Sequence, residues 1–269
     1  MSIIDALFLQ DMGLPYLLRR AYNRFRPKFS RKDFVATIPK DVSTLEIGPF
    51  YDPMCKGGNV KYFDILDQEA LVNWAKTLSF KVAIENIPKI DFVSSVGDLS
   101  IVNESFGLIF SSHVIEHQLD LVDHLQKVSS LLKAGGKYYL IIPDKRYCFD
   151  HFMGESTIGD VLNAHSAKQS KHSLKSVLNQ RVQMTHNNAA RHWGGDHGVV
   201  YVEAERVAAA LKEYSDTAYV DAHAFYFTPI SFVHIIRLLQ QLGYIDLKVE
   251  KLFPTTPNGI EFYCVLEKA

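Results

Sequence analysis

The chain has 269 residues, 47% of them hydrophobic, and its 29 basic and 30 acidic residues leave a formal net charge of -1. This length and hydrophobic content are enough for one large domain, or for a core domain with an insertion. A net charge so close to zero creates no whole-chain attraction to nucleic acid, so duplex DNA is not expected as a partner.

The three cysteines, Cys55, Cys148 and Cys264, are far apart in the sequence, and none forms a CxxC pair. This spacing argues against a disulfide framework and a structural zinc site, and it favours a reducing compartment. The sequence has no run of about 18 apolar residues that would form a transmembrane segment. Because Asp5 and Asp11 interrupt the N-terminal apolar stretch and no cleavage-like tail follows, we expect an unprocessed cytoplasmic protein.

Residues 1–40 are predicted to form an N-terminal helical segment that becomes basic toward its end. Arg and Lys side chains stand there among Leu, Tyr and Phe, at Arg19, Arg20, Arg24, Arg26, Lys28, Arg31 and Lys32. Charge on one side and apolar residues on the other are typical of a solvated helix that packs on a domain. Contact with an anionic membrane surface or partner is the alternative.

From residue 42 onward, short apolar runs alternate with helical patterns. The runs predicted as strands are VSTLEIG (42–48), VKYFDIL (60–66), IDFVSSVGDL (90–99), FGLIFSSHV (106–114) and KYYLIIPD (137–144). Helices are predicted over 67–78 and 119–133, and AGG at 134–136 supplies the stop signal. Strands separated by helices imply right-handed crossovers and a parallel sheet with helices on both faces.

The periodic pattern weakens between residues 145 and 222. Helical stretches at 157–168 and 202–216 surround the loop-like HNNAARHWGGDHG at 186–198, and no strand is apparent, so we predict an inserted helical lid. An amphipathic helix follows at 228–244, opened by Thr-Pro, and a hairpin closes the chain. The predicted organisation has three parts. Residues 1–40 form the N-terminal segment, residues 41–144 and 223–269 form the core, and residues 145–222 form the inserted lid.

Polar residues end four of the predicted strands, at the edge where an open parallel sheet binds its ligands. They are Glu46 with Gly48, Asp64, Asp98, and Ser111 with Ser112. A dinucleotide site would have a GxGxxG turn, whose glycines let the backbone approach a pyrophosphate. Here PFYD follows Gly48, so bulky side chains and the negative charge of an aspartate lie where a diphosphate would need exposed backbone N–H groups. The turn therefore favours a cofactor without phosphate.

The stretches LEIGPFYDP, SSHVIEH, IIPDKRYCFD and VDAHAFYFTPISF resemble motifs of the class I S-adenosylmethionine-dependent methyltransferases, in particular the type 11-like group. The family's first motif is an acid, any residue and a glycine, which Glu46 and Gly48 match, whereas Phe50 and Asp52 stand where further glycines are common. The resemblance covers roughly 42–144 and 225–267. It implies an α/β fold with a Rossmann-like, mostly parallel sheet, an antiparallel closing strand and a helical insertion after the fifth strand.

The resemblance also implies S-adenosyl-L-methionine as the cofactor. Asp64, with Ile65 beside it, is expected to accept hydrogen bonds from the ribose hydroxyls, because a carboxylate forms strong charge-assisted bonds with them. Asp98 is expected to accept from the adenine amino group, and Leu99 to offer an adjacent backbone donor.

The ammonium and carboxylate of the cofactor's methionine end are expected near the backbone of Gly48 and Pro49 and among the groups around Ser111 and Ser112. Glu46 is expected to support the turn or to contact the ammonium. Three acids at the expected strand ends are less readily explained as ordinary loop carboxylates than one acid would be.

Methyl transfer is a direct displacement at a sulfonium carbon, so the protein must align the acceptor and, for a hydroxyl, remove its proton. His113, at the end of the fourth predicted strand, is the first candidate for that base, since histidine is suited to proton transfer near neutral pH. His223 and Asp144 are the alternates because both flank the insertion. Catalysis by proximity alone remains open.

Further polar residues are expected to line the acceptor site: Arg146, Tyr147, His192, Asp196, His197 and Asp221. Structural polar contacts and a divalent-metal site are the alternatives, but without thiols or an HExxH helix the ligand set is not diagnostic, and no metal is predicted. The imidazole, carboxylate and aromatic groups suit a polyhydroxylated acceptor. Relatives with similar motifs are often associated with surface-glycan or secondary-metabolite pathways, so the resemblance, together with these groups, implies O-methylation of a sugar, surface glycan or polyhydroxylated small molecule.

Two other functions are open at this stage. A nicotinamide-dependent oxidoreductase on a similar sheet would have a glycine-rich phosphate loop and usually a Tyr-x-x-x-Lys pair, and neither is evident in the sequence. A non-catalytic adenosylmethionine-binding or scaffold protein would keep the cofactor pocket without an acceptor site.

Overall fold

The computed structural model describes residues 29–78, 82–216 and 220–269. Most of the predicted N-terminal helical segment lies outside the described residues. The helices and strands in chain order are α1 (Arg31–Ala36), β1 (Thr44–Ile47), β2 (Val60–Asp64), α2 (Gln68–Ala75), β3 (Phe92–Val93), β4 (Phe106–Ser112), α3 (Leu121–Leu131), β5 (Leu132–Pro143), α4 (Ile158–Ser166), α5 (Leu174–Val182), α6 (Ala189–Trp193), α7 (Ala204–Asp216), α8 (Pro229–Gln241), β6 (Leu247–Phe253) and β7 (Glu261–Lys268).

The strands of the described ranges form a seven-stranded sheet in the order β3-β2-β1-β4-β5-β7-β6. Neighbours from β3 through β5 are parallel, whereas β7 is antiparallel to both β5 and β6. The strand order reverses between β1 and β4, and this reversal opens a crevice at their carboxyl ends where such sheets bind ligands. The predicted mostly parallel sheet with an antiparallel closing strand is confirmed.

Apolar layers cover both faces of the sheet. On one face, Ile109 and Leu140 belong to a large core that includes Phe232 of α8. On the other face, Phe110 packs in a smaller cluster with Phe34 of α1. Because side chains alternate across a strand, a strand buried on both faces has the continuous apolar sequence from which the parallel sheet is predicted.

The predicted start of the amphipathic helix α8 is confirmed in detail. Thr228 is its N-cap, Pro229 occupies the first turn, and Ser231 completes a capping box. The proline has no N–H to leave unsatisfied at that position, and the threonine hydroxyl accepts from the backbone N–H of Ser231. Among the described residues, no helix has both the length and the apolar character that crossing a membrane requires.

Three local predictions are wrong. The strand expected over 90–99 contains only Phe92–Val93, because Ser94 and Asp98 then hydrogen-bond to nearby backbone N–H groups instead of extending the ladder. The AGG segment does not separate a helix from a later strand, since β5 begins at Leu132. The loop expected over 186–198 contains α6, which is capped by the Asn188 side chain.

The described part of the insertion, 145–216 and 220–222, contains helices and no strand. Its first helix, α4, is not detached from the sheet, because Val161 and Ala164 are buried in the large core. The Trp193 indole N–H also donates to the carbonyl of Gly259 in the loop before β7, at 2.9 Å. The predicted lid is therefore attached to the core, and its role as a lid stays a prediction.

Candidate functional site

The turn after β1 depends on Gly48. Its φ is +66°, and a Cβ added there would lie 2.7 Å from Cγ2 of Val114. The Gly48 N–H donates to the carbonyl of Phe63 at the end of β2, at 2.9 Å. Gly48 is thus required both by the left-handed backbone and by the close approach of the segment that follows β4.

Glu46 holds the rest of this turn in place. Its two carboxylate oxygens accept from the backbone N–H groups of Met54 and Cys55, at 2.9 and 2.8 Å. Burial raises the pKa of Glu46 to about 7, against the effect of these donors. Glu46 was expected either to support the turn or to contact the cofactor's ammonium, and these contacts support the turn.

Asp64 lies buried at the end of β2, next to the same turn. Its carboxylate accepts from the backbone N–H of Leu66 at 3.1 Å, and burial raises its pKa even though backbone N–H groups, including that of Phe50, oppose the shift. Ile65 beside it is half-buried. The carboxylate expected to contact the ribose therefore lies beside the Gly48 turn, next to the crevice at the carboxyl ends of β1 and β4.

Asp98 caps the short turn Leu99–Ile101 and is also paired with a lysine. Its carboxylate accepts from the N–H and hydroxyl of Ser100, at 3.0 and 2.7 Å, and contacts Nζ of Lys127 on α3 at 2.9 Å. Lys127 and Ser100 hold the pKa of Asp98 well below its usual range. An adenine amino group would have to share this carboxylate with Lys127, while Leu99 is buried beside it.

The Ser111 hydroxyl is engaged in a buried network. It lies 2.7 Å from the hydroxyl of Tyr138, which in turn lies 3.1 Å from Nε2 of His124. All three residues are buried. The side chain of Ser111 is therefore committed to the core, and any contact with the methionine end of a cofactor would come from its backbone or from the half-buried Ser112.

His113 follows β4 with a φ of +53°, in the left-handed region that residues with a Cβ rarely adopt. Its N–H donates to the carbonyl of Ile141 on β5, which extends the sheet by one residue. Its Nε2 lies 2.9 Å from Oε2 of Glu261. Strained backbone of this kind concentrates at functional sites, so the conformation supports a role for His113 beyond packing.

Glu261 orients the His113 ring. It also accepts from Nε and Nη2 of Arg31, at 3.0 and 2.5 Å. Burial alone would raise the pKa of Glu261, but His113 and Arg31 lower it to about 2. An ionised carboxylate can only accept hydrogen bonds, so the contact with Glu261 favours a proton on Nε2 of His113 and a lone pair on Nδ1. Nη2 of Arg31, which can only donate, also lies 3.3 Å from Nε2 and favours the other tautomer. Glu261 was not among the residues singled out from the sequence.

Behind His113 lies a group of imidazoles and carboxylates around the buried Glu116. Nδ1 of His113 is 3.7 Å from Oε1 of Glu116, and this oxygen is 4.0 Å from Nε2 of both His117 and His223. His117 also contacts Asp221, with 3.1 Å between Nδ1 and Oδ1. The structure thus brings three predicted residues, His113, His223 and Asp221, around Glu116. The motif SSHVIEH contained Glu116, but nothing local in it indicates that the carboxylate is buried.

Asp144 does not have the environment of a general base. It is fully buried, and its oxygens accept from Nε and Nη2 of Arg146, at 2.9 and 2.8 Å, and from the Thr255 hydroxyl at 2.6 Å. These contacts join the end of β5 to the loop before β7. The role of Asp144 as an alternate base stays a prediction.

The predicted acceptor-site residues of the insertion form a separate group. Tyr147 stacks on Trp193, with ring centroids 4.0 Å apart. His192 is buried, and its Nδ1 lies 3.1 Å from Nδ1 of His197. Asp196 pairs with Arg191 at 2.7 Å. The structure thus brings His192 and His197 together, whereas Asp196 stabilises the loop that carries them.

Two cavities of about 630 and 600 Å³ lie elsewhere on the described surface. The first is lined mostly by apolar residues of the insertion, and the second by Arg146 and the first turns of α4 and α8. Because neither is lined by Gly48, Asp64 or His113, neither coincides with the crevice at the strand ends.

Comparison with known proteins finds a match to one family over part of the chain. Residues 52–140 match the family model described as a methyltransferase domain. A comparison with curated proteins found no match. Solved structures with a similar fold include the CcbJ methyltransferase from Streptomyces caelestis, at 11% identity and a TM-score of 0.46, covering 88% of this chain and 92% of that chain. An S-adenosylmethionine-dependent methyltransferase from Mesorhizobium loti shows 11% identity and a TM-score of 0.43, covering 88% and 96% of the two chains.

The matched segment begins in the turn after β1 and runs through β2, β3 and β4 into β5, so it contains Asp64, Asp98 and His113. It thus includes the carboxyl ends of β2 and β4 but not that of β1, where Glu46 and Gly48 lie. Over residues 52–140 the chain therefore matches a methyltransferase domain, and this match supports an enzyme that uses S-adenosyl-L-methionine as its cofactor.

Proposed function

We propose that the chain transfers the methyl group of S-adenosylmethionine to a hydroxyl of a sugar, a surface glycan or another polyhydroxylated small molecule. The observation that carries the proposal is the site behind β4, where His113 stands next to Glu116, His117 and His223. Imidazoles and carboxylates suit the recognition of several hydroxyls, because each accepts or donates hydrogen bonds. A biosynthetic role in glycan or secondary-metabolite formation would follow from such an acceptor.

In this proposal the cofactor occupies the crevice at the ends of β1, β2 and β4. Asp64 accepts from the ribose hydroxyls, and the backbone around Gly48, Pro49 and Ser112 receives the methionine end. Asp98 and Leu99 lie where the adenine would be held. The positions of Gly48 and Asp64 beside one another support this placement.

His113 is the proposed general base. Its Nε2 donates to Glu261, so Nδ1 can take the proton of the acceptor hydroxyl as the oxygen attacks the methyl carbon. Glu261 is a positioning residue, since it holds the imidazole in the tautomer that leaves Nδ1 free of a proton. Arg31 neutralises Glu261 and so keeps it from drawing the proton away from Nε2.

The insertion, residues 145–222, is proposed to cover the acceptor. Asp221 contacts His117, and His223, at the end of the insertion, belongs to the cluster around Glu116, which supports this position. The other predicted acceptor-site residues would then contribute by shaping this cover: Arg146, Tyr147, His192, Asp196 and His197. Because α4 is part of the core, a deletion that tests the cover has to begin after Ser166.

The test is a methyl-transfer assay that measures S-adenosylhomocysteine formation with nucleotide sugars, oligosaccharides and small polyols, and with amines as the comparison class. We expect turnover with a hydroxyl acceptor. His113→Ala should lower that turnover about 10² to 10⁴-fold and leave the Kd for S-adenosylmethionine within a few fold, because a positioned base contributes in this range. Transfer to amines alone would overturn the proposal, and cofactor binding without transfer to any acceptor would favour a non-catalytic protein.

A further inference from the structure

Glu116 is buried without hydrogen-bond partners. The residue is 1% exposed, and neither of its carboxylate oxygens has a hydrogen-bond partner in the described part of the chain. Burying an ionised carboxylate in this way is costly unless a charge or a metal compensates for it. The carboxylate therefore needs a positive charge beside it, which a bound cation would supply.

The surroundings of Glu116 supply ligand atoms for a cation. Oε1 of Glu116 lies 4.0 Å from Nε2 of His117 and 4.0 Å from Nε2 of His223, and one ligand atom from each of the three residues lies within 4.8 Å of the others. Ligands at about 2.1 Å from a shared zinc-like ion would lie roughly 3 to 3.5 Å apart. Small side-chain movements toward the centre are enough to reach that spacing.

Both imidazoles have a carboxylate near Nδ1. Nδ1 of His223 forms a hydrogen bond of 2.7 Å with Oδ2 of Asp150, whereas Nδ1 of His117 lies 3.1 Å from Oδ1 of Asp221 without hydrogen-bond geometry. The carboxylate on His223 places the proton on Nδ1 and leaves Nε2 as the ligand atom, which is the usual arrangement behind metal-binding histidines. The two Nε2 atoms are those that lie near Glu116.

The backbone holds the two halves of this group together. The N–H groups of Ala224 and Phe225 donate to the carbonyl of Glu116, at 2.8 and 3.1 Å. These bonds attach the segment before α8 to the turn after β4. His223 is therefore placed opposite Glu116 by main-chain contacts, independently of any side-chain attraction.

We propose that Glu116, His117 and His223 bind one divalent first-row transition-metal ion through the carboxylate and the two Nε2 atoms. Two imidazoles and a carboxylate suit ions such as Zn²⁺, Mn²⁺, Fe²⁺ and Co²⁺ better than Mg²⁺ or Ca²⁺, which prefer oxygen ligands. The three ligands leave coordination positions open. The sequence alone did not predict this site.

A second histidine group in the insertion is a weaker candidate. His151, His192 and His197 also bring their ring nitrogens close together. However, Nδ1 of His192 lies against His197 and its Nε2 lies 3.0 Å from the carbonyl of His186, so both nitrogens of His192 are already engaged. No carboxylate belongs to that group, and it serves as the matched control.

The location of the proposed ion suggests its role, which rests on the proposed function. Oε1 of Glu116 is 3.7 Å from Nδ1 of His113, so the ion would lie beside the proposed base. An acceptor hydroxyl bound at an open position would lose its proton more readily. The proton would pass to Nδ1 of His113, the O–CH₃ bond would form as the S–CH₃ bond breaks, and the sulfonium would become the neutral thioether of S-adenosylhomocysteine.

The binding test uses the full, untagged chain after chelator treatment, without any acceptor. Co²⁺ is titrated while its visible absorption is recorded, and Zn²⁺ binding is measured by calorimetry. We expect one equivalent of Co²⁺ in the unaltered chain, a loss of at least tenfold in affinity for Glu116→Gln and His223→Gln, and a 10- to 100-fold loss for Asp150→Asn. His192→Gln should bind as the unaltered chain does.

The Kd for S-adenosylmethionine serves as the folding control for each variant. Absence of stoichiometric Co²⁺ binding, undiminished binding by Glu116→Gln in a folded chain, or a loss confined to His192→Gln would overturn the site. If the metal binds through Glu116 but no hydroxyl acceptor is methylated, the proposed function fails while the site stands. If methylation proceeds at the same rate after chelation and in Glu116→Gln, the role proposed for the ion in catalysis fails while the proposed function stands.

Discussion

Substitution of Gly48 by alanine tests whether the turn after β1 is both strained and crowded. Gly48 has a φ of +66°, and the added Cβ would lie 2.7 Å from Cγ2 of Val114, closer than Cβ atoms normally approach. A left-handed alanine costs roughly 1 to 2 kcal/mol, part of which is offset by the smaller entropy of the unfolded chain. Relieving the contact should cost a further 1 to 3 kcal/mol, roughly the cost of overpacking a core.

Gly135 offers a matched control. Its φ is also +66°, and nothing lies within 4 Å of its added Cβ. Gly135→Ala should therefore lower the free energy of unfolding by about 1 kcal/mol, the cost of the backbone alone. Gly48→Ala should lower it by about 2 to 4 kcal/mol. The difference between the two variants isolates the contact with Val114.

Urea unfolding of both variants, and of Val114→Ala with and without Gly48→Ala, gives the coupling between the two positions. We expect Val114→Ala to recover about 1 kcal/mol or more of the cost of Gly48→Ala, since neighbours in contact are not additive. Calorimetry should show at least a tenfold loss of S-adenosylmethionine affinity for Gly48→Ala and none for Gly135→Ala. Equal destabilisation by the two glycine variants, or normal cofactor affinity of Gly48→Ala, would refute the reasoning.

Three further predictions follow from individual carboxylates. Asp64→Asn should weaken S-adenosylmethionine binding about 10- to 100-fold in calorimetry. The variant should stay folded, because burial already disfavours the charge of Asp64. Unchanged affinity would show that Asp64 does not contact the ribose. For Glu261, whose pKa falls from 4.5 to about 2 on folding, the stabilisation is present above pH 4.5 and is lost as the pH falls toward 2. Glu261→Gln should therefore lower the free energy of unfolding by about 2 kcal/mol near neutral pH, a figure reduced because Arg31 is partly exposed to solvent. In urea unfolding, the difference between this variant and the unaltered chain should shrink below pH 4.5. A difference that stays constant with pH would contradict this. Asp144→Asn should lower the free energy of unfolding by about 3 kcal/mol, because Arg146 loses its charged partner. Turnover per folded molecule should be retained. A stable variant without turnover would favour Asp144 as the base.

Local sequence determined the order of the elements and the edge of the sheet at which the site lies. The apolar runs ending in Glu46–Gly48 and Asp64 predict buried parallel strands because their periodicity depends only on neighbouring residues. The start of α8 could be predicted for the same reason, since Thr228 and Pro229 act within a single turn. The predicted strand at 90–99 failed where Asp98 and Ser94 formed competing local hydrogen bonds.

Tertiary structure alone decided what each carboxylate does. Asp144 and Glu46 both lie at the ends of apolar runs. The Asp144 carboxylate nevertheless accepts a hydrogen bond from Thr255, 111 residues away, whereas the Glu46 carboxylate accepts from backbone N–H groups of the turn that follows it. Glu116 lies in the motif SSHVIEH, but its burial against His223 arises only when the segment before α8 pairs with the turn after β4. Periodicity specifies which face of an element is buried, while the partner of a buried polar group comes from a distant segment, so its role is established only once the chain has folded.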